Sequence, residues 1–249
     1  MSQPVQIIGS PISPYVRKVL VCLETKKLDY EIDPIVPFFG NDEFSRLSPL
    51  RRIPVMLDDR TTLCDSTVIC QYLEDRHPTP ALYPRDVAER AHARWLEEFA
   101  DSRMGDVFIW RLFNQVAIRP RVWNEPTDQA VVKQALEVEI PLVLDYLETQ
   151  VPQDGFLFGD PGIADISLAC FFRNAAFARF QVDAARWPRT AAFVARTLAL
   201  PAFQKLARIE ETMLRTPIPQ QREALREQGV ALTAKSYFNE TPRRGIMPI

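Results

Sequence analysis

A chain of 249 residues has room for about two domains of ~150 residues, and with 47% apolar and 25% charged residues it can bury a sizeable core. The formal net charge of −2 supplies no field that would draw it to nucleic acid or an anionic membrane. No stretch approaches the ~20 apolar residues of a membrane span.

Four cysteines, Cys22, Cys64, Cys70 and Cys170, lack CxxC spacing and sit among apolar neighbours, so reduced, buried thiols are expected. With two histidines and no Cys/His cluster, no metal site is expected. The first residues carry no basic segment followed by a long apolar run, and a cytoplasmic protein is the expectation.

In chain order, "VQII" (5–8) is a compact apolar run closed by Gly9, a buried strand. From Pro14, the residues Val16, Val19, Leu20 and Leu23 trace a helix face. "YEIDPIV" (30–36) predicts a second strand, with Pro34 at its end or on an edge. "PVMLDD" (54–59) and "TTLCD" (61–65) predict a hairpin, and a helix over 66–76 closes the unit. The order is β-α-β, connection, β-β-α.

Proline-rich "RHPTPALYP" (76–84) excludes regular structure and marks a domain boundary. Strand signals then largely vanish. Ala88, Ala91, Trp95 and Phe99 suggest the buried stripe of a long helix running toward Ile118. Further helices are expected over 127–150 with a kink at Pro141, then over 163–180, 188–198, 201–214 and 220–228.

Three short motifs can carry chemistry. In "GSPISPYVRK" (9–18), Ser13 before Pro14 has the form of a helix N-cap, worth about 1 kcal/mol. The same position lies at the positive end of a helix, where a thiolate is favoured. Both roles remain open on these residues alone. In "RRIPV" (51–55), a cis bond between Ile53 and Pro54 would turn the Ile53 backbone outward to pair with an extended peptide. Asp65 before Ser66 is either a plain N-cap or half of a cradle. In the cradle, the helix amides and the Ser66 hydroxyl take a carboxylate while Asp65 meets an ammonium.

In this order and spacing, these pieces resemble the N-terminal domain of cytosolic glutathione transferases. The likeness extends through "LYP" (82–84) to "GDPGIADISLA" (159–169), and so covers roughly residues 5–210. It implies an α+β thioredoxin-like domain followed by an all-α domain, divided as 1–82 and 83–215 with a C-terminal extension over 216–249. It further implies glutathione as co-substrate, no metal, a small hydrophobic electrophile as second substrate, and a homodimer.

Carried over by position, the resemblance makes Ser13 the hydroxyl that hydrogen-bonds the glutathione sulfur, as in tau- and zeta-like members. Register against Lys18-Val19 selects Ser13 over Ser10. Ile53 would pair with the cysteinyl backbone, Asp65 and Ser66 would hold the γ-glutamyl end, and Arg52 would approach the glycyl carboxylate. For the electrophile, family position suggests Tyr15, the loop near Phe38 and Phe39, and Met104, Val107, Phe108 and Arg111. Arg103 and Arg111 would make the pocket receptive to anions. Peroxide reduction, disulfide reduction, isomerisation and a non-catalytic binding role are the alternatives to conjugation.

Two features depart from the family pattern. The helix-starting motif has Gly162 where Ser or Thr usually caps, which leaves Asp165 to reach back alone in a folding role. The tail exceeds the usual family end, and Tyr237, Phe238, Ile246 and Met247 are too apolar for a solvated coil. It is expected to fold over the pocket or onto a partner subunit.

Overall fold

The computed structural model describes residues 4–245, so Ile246 and Met247 lie outside the described residues. Four strands form one sheet in the order β2-β1-β3-β4, with β1 Val5–Ile8, β2 Tyr30–Asp33, β3 Val55–Leu57 and β4 Thr62–Cys64. The strands β1 and β2 run parallel, as their connection through helix α1 (Pro14–Thr25) requires, and β3 pairs antiparallel with both β1 and β4. Ile7 faces Ile32 on one side and Met56 on the other, and all three are fully buried. Helix α3 (Ser66–Arg76) completes the βαβ-ββα unit expected from the apolar runs.

Between β2 and β3 lie a 3-10 turn over Pro37–Phe39 and a short helix, α2 (Asp42–Leu47), which periodicity did not reveal. The local signal was nevertheless present. Asn41 caps α2 by accepting the Phe44 amide, and Asp42 and Glu43 occupy its first turn.

Helix α1 is buried on nearly every side, including Arg17 and Lys18. Arg17 pairs with Glu210 of α9 (Pro201–Arg215), and Lys18 Nζ donates to Thr67 Oγ1 of α3 at 3.0 Å. The charged face of α1 is therefore covered by helices that bring partners for the charges.

The chain forms two compact units by its contacts, one made of residues up to Pro80 and from Pro201 onward, the other of Ala81–Leu200. The resemblance implies divisions at 82 and 215, whereas α9 packs on α1 and α10 (Gln221–Glu227) packs on α9. After α10 the tail returns to the sheet edge formed by β2. Ile32 donates to the Ala231 carbonyl at 3.0 Å and accepts from the Thr233 amide at 3.1 Å, which is strand-like pairing. The described part of the tail thus packs on its own thioredoxin-like domain, where exposed backbone groups of an edge strand need partners.

The helical unit starts with α4 (Val87–Phe99), capped by Asp86 through the Ala88 and Glu89 amides. The helix continues as a wider, π-type segment over Ala100–Trp123. The stripe expected from Ala88, Ala91 and Trp95 lies outward, with Trp95 52% exposed. The buried face is Ala93, Leu96, Glu97 and Ala100. Glu97, which accepts the Tyr83 hydroxyl at 3.0 Å, interrupts the apolar period of the true face and so misdirected the pattern.

Asp128 caps α5 (Gln129–Gln134), which passes through a π turn over Ala135–Glu139 into α6 (Ile140–Gln150). The turn sits just before Pro141, whose missing amide prevents a regular α continuation. Helix α7 (Ile163–Phe177) is buried along most of its length, and α8 (Pro188–Leu198) packs against both α7 and α6.

Gly162 precedes α7, and a Cβ there would meet the Leu82 carbonyl oxygen at 2.8 Å. That contact explains the missing Ser or Thr cap. Asp165 instead takes the Gly162 amide at 2.9 Å and the Leu157 amide at 3.0 Å. Burial pushes the Asp165 carboxyl up, while these two amides pull it down.

Candidate functional site

Ser13 ends the loop between β1 and α1 with extended backbone (φ −67°, ψ 131°) and Pro14 as the first helical residue. It has the backbone of an N-cap, but its side chain makes no capping bond to the helix amides. Ser10 behaves differently. It is buried, its Oγ accepts the Ile12 amide at 3.4 Å, and its carbonyl accepts the Ser13 amide at 2.9 Å. Ser10 therefore shapes the loop, whereas the half-buried Ser13 hydroxyl is not used to close the helix.

Ile53 precedes a cis peptide to Pro54. Gly9 lets this turn approach the Ser13 loop: at φ +148°, a Cβ on Gly9 would stand 2.9 Å from Ile53 Cβ and 2.6 Å from Val16 Cγ2. Just before it, Arg52 is exposed, and its backbone is clamped at both ends by the Ser48 hydroxyl, which accepts from the amide at 2.9 Å and donates to the carbonyl at 2.8 Å. Arg51 adopts φ +51° and sends its guanidinium to the Gly40 carbonyl at 2.8 Å and to Ser45 Oγ.

The antiparallel register pairs Val55 with Cys64, which sets the Ile53-Pro54 turn beside the start of α3. Asp65 stands there at φ +82°, a conformation that costs a non-glycine residue of order 1–3 kcal/mol and is concentrated at ligand clamps. One of its carboxylate oxygens, Oδ1, accepts the Thr67 and Val68 amides at 2.9 and 3.2 Å. The cap reading of Asp65 is therefore realised, and the residue is also exposed. Ser66 is buried as the first residue of α3. Cys64 lies alongside, with its thiol donating to the Leu47 carbonyl at 3.0 Å and pushed up by burial.

The fold thus brings the Ser13 loop, the Ile53 turn and the Asp65-Ser66 helix start to the same end of the sheet. The array offers a hydroxyl beside a helix N-terminus, an extended backbone segment, and a carboxylate adjoining helix amides. Those groups can take an acidic thiol, a peptide and an amino-acid zwitterion. Among the described residues, no group of three or more His, Cys, Asp and Glu side chains could hold a metal ion. No described helix is long and apolar enough to cross a membrane.

The residues expected around an electrophile fall in both units. In the first, Tyr15 is half-buried on the opening turn of α1, and the buried Phe39 stacks on Phe238 with ring centres 5.7 Å apart. In the second, Met104, Val107 and Phe108 are fully buried, with Phe108 against Phe172 at 5.4 Å and Phe180 at 6.2 Å. Arg111 is half-exposed and pairs with Asp106 and Glu139, both at 3.4 Å, and Arg103 reaches the same Asp106 at 3.1 Å. Sequence reasoning missed these acidic partners, which lie one to several turns away on the same helix or on another.

A family model described as the N-terminal domain of glutathione S-transferase matches residues 7–81, and one described as its C-terminal domain matches 130–196. Glutathione S-transferase 3 of Zea mays is 30% identical over 224 residues, spanning 87% of this chain and 96% of the relative. Maleylacetoacetate isomerase of Rattus norvegicus is 28% identical over 193 residues, 75% of this chain and 84% of the relative. Among solved structures, a glutathione S-transferase from Rhodospirillum rubrum F11 superposes with a TM-score of 0.74 at 26% identity, covering 81% of this chain and 91% of that one.

Proposed function

Given that the chain belongs to the glutathione S-transferase family and is an enzyme of that type, we propose that Ser13 activates the glutathione thiol for attack on a small hydrophobic electrophile. The observation that carries this reading is the Ser13 hydroxyl, held at the N-terminus of α1 yet making no capping bond to its amides. A hydroxyl in that position donates to a thiolate without giving up a helix contact.

A free thiol titrates near ~8.5, and lowering that by two units takes about 2.7 kcal/mol. A hydrogen bond to a charged sulfur supplies about 1.5–3 kcal/mol and the helix terminus about 0.3–1. Ser13 is a donor and not a nucleophile, because neither His77 nor His92 is near it in sequence to serve as its base. The Ile53 backbone would pair with the cysteinyl unit, Asp65 and Ser66 would hold the γ-glutamyl ammonium and carboxylate, and Arg52 would face the glycyl carboxylate. Tyr15 and Phe39 of the first unit are proposed for the electrophile side. A cytoplasmic homodimer goes with this reading, in keeping with four free cysteines.

Isomerisation is the second reading, favoured by the relatives named maleylacetoacetate isomerase. There the glutathione thiolate would add to a cis double bond, allow rotation, and leave again with no net consumption of glutathione. Calorimetry of glutathione binding, followed by assays with an aryl halide and with maleylacetoacetate, separates the cases. Conjugate formation supports the first reading, and isomerisation without conjugate supports the second. Absence of glutathione binding at millimolar concentration would overturn both.

A further inference from the structure

The tail after α10 is a strap built into the thioredoxin-like domain, and its strongest attachment is the carboxylate of Asp33. That side chain is fully buried at the end of β2. It accepts from Arg222 Nη1 at 2.9 Å, Ser236 Oγ at 2.8 Å and the Tyr237 amide at 2.7 Å, all donors supplied from α10 onward. A buried carboxylate with three donors from one segment fixes that segment firmly.

Beyond this anchor the strap runs along the segment that leads into α2. The Tyr237 carbonyl accepts the Asn41 amide at 2.8 Å, and the Asn239 and Arg243 amides donate to the Phe39 and Phe38 carbonyls at 2.6 and 2.8 Å. Phe238 stacks on Phe39 at an interplanar angle of 13°. Asn41 is the N-cap of α2, so the strap holds the residue that starts that helix. At its other end, α2 connects to the glutathione-binding candidates. Ser48 clamps the Arg52 backbone, and the Leu47 carbonyl takes the thiol of Cys64, the neighbour of Asp65.

We propose that the C-terminal strap, anchored on Asp33, is a positioning element that fixes α2 and through it the Arg52 and Asp65 sides of the glutathione site. The proposal rests on the reading of that site given under Proposed function. Acting through α2, the strap bears on how well the peptide is held, so this effect falls on glutathione affinity.

The test compares the intact chain with a form ending at Val230 and with an Asn239→Pro variant, which removes the amide donated to the Phe39 carbonyl but keeps the Asp33 anchor and the Phe238 ring. Two readouts are followed: KM for glutathione against kcat, and hydrogen exchange at the Ser48 and Arg52 amides, which the strap does not touch. In both altered forms KM for glutathione is expected to rise about tenfold and exchange at both amides to accelerate, with kcat held within about twofold in the Asn239→Pro variant. Unchanged KM and unchanged exchange at Ser48 and Arg52 would overturn it. Should the shortened chain fail to fold, the Asn239→Pro variant decides by the same criteria. Should the intact chain bind no glutathione, the proposed function falls, while exchange at Ser48 and Arg52 still judges the strap.

Discussion

Arg17 of α1 and Glu210 of α9 form an ion pair with side chains 0% and 2% exposed, and Arg17 Nη2 also donates to the Ile12 carbonyl at 3.1 Å. Ile12 precedes Ser13, so a residue almost two hundred positions away helps set the loop that carries the candidate hydroxyl. Breaking a buried pair strands a charge and typically costs about 3–5 kcal/mol, while replacing both partners with apolar groups is often close to neutral. Glu210→Ala is therefore expected to lower unfolding free energy by about 3–5 kcal/mol in urea, and Arg17→Met with Glu210→Leu to cost much less. Equal losses for the two would contradict this.

Ser13→Ala separates a cap from a catalytic donor by stability alone. A serine whose side chain caps a helix costs about 1 kcal/mol when replaced by alanine. Ser13 makes no such bond, so the change in urea midpoint should correspond to less than about 0.5 kcal/mol. A loss of the full capping value would return Ser13 to the structural role.

Gly162→Ser restores the hydroxyl usual at the start of α7 but places a Cβ 2.8 Å from the Leu82 carbonyl oxygen. Backbone cannot yield as a flexible side chain can, and overpacking of this kind costs about 1–3 kcal/mol. A lower melting temperature is expected. A higher one would mean that the hydroxyl outweighs the contact.

Cys64 should alkylate slowly at neutral pH. Burial raises its thiol pKa, so at any given pH the reactive thiolate is scarcer than in a free cysteine. The iodoacetamide rate should keep climbing at pH values where a free thiol has already levelled off. A plateau at or below the pH of the free-thiol plateau would show that neighbouring groups stabilise the thiolate instead.

Much of the first domain was legible because its strands are short, continuous apolar runs and its turns carry Gly and Pro. Val5–Ile8, the hairpin of β3 and β4, and Ser66–Arg76 all follow the elements expected of them. The misses share one cause, polar groups paired inside the fold. Buried Glu97 hid the inward face of α4, and the apolar face traced by Val16, Val19, Leu20 and Leu23 gave no sign that Arg17 and Lys18 are buried as well. The apolar tail residues marked a folded tail but not its place of attachment, since its recognition of Asp33 depends on residues some two hundred positions apart in sequence. At the site, motif spacing pointed to Ser13, Ile53, Asp65 and Ser66, but not to the left-handed backbone of Asp65 or the Ser48 clamp on Arg52.

Whether Ser13 holds the thiolate is decided by titrating enzyme-bound glutathione, following thiolate absorbance in the ultraviolet for the native chain and for Ser13→Ala. An apparent pKa about two units below the free value of ~8.5 is expected in the native chain, returning by at least about one unit in the variant while glutathione still binds. Identical pKa values in the two proteins would contradict it.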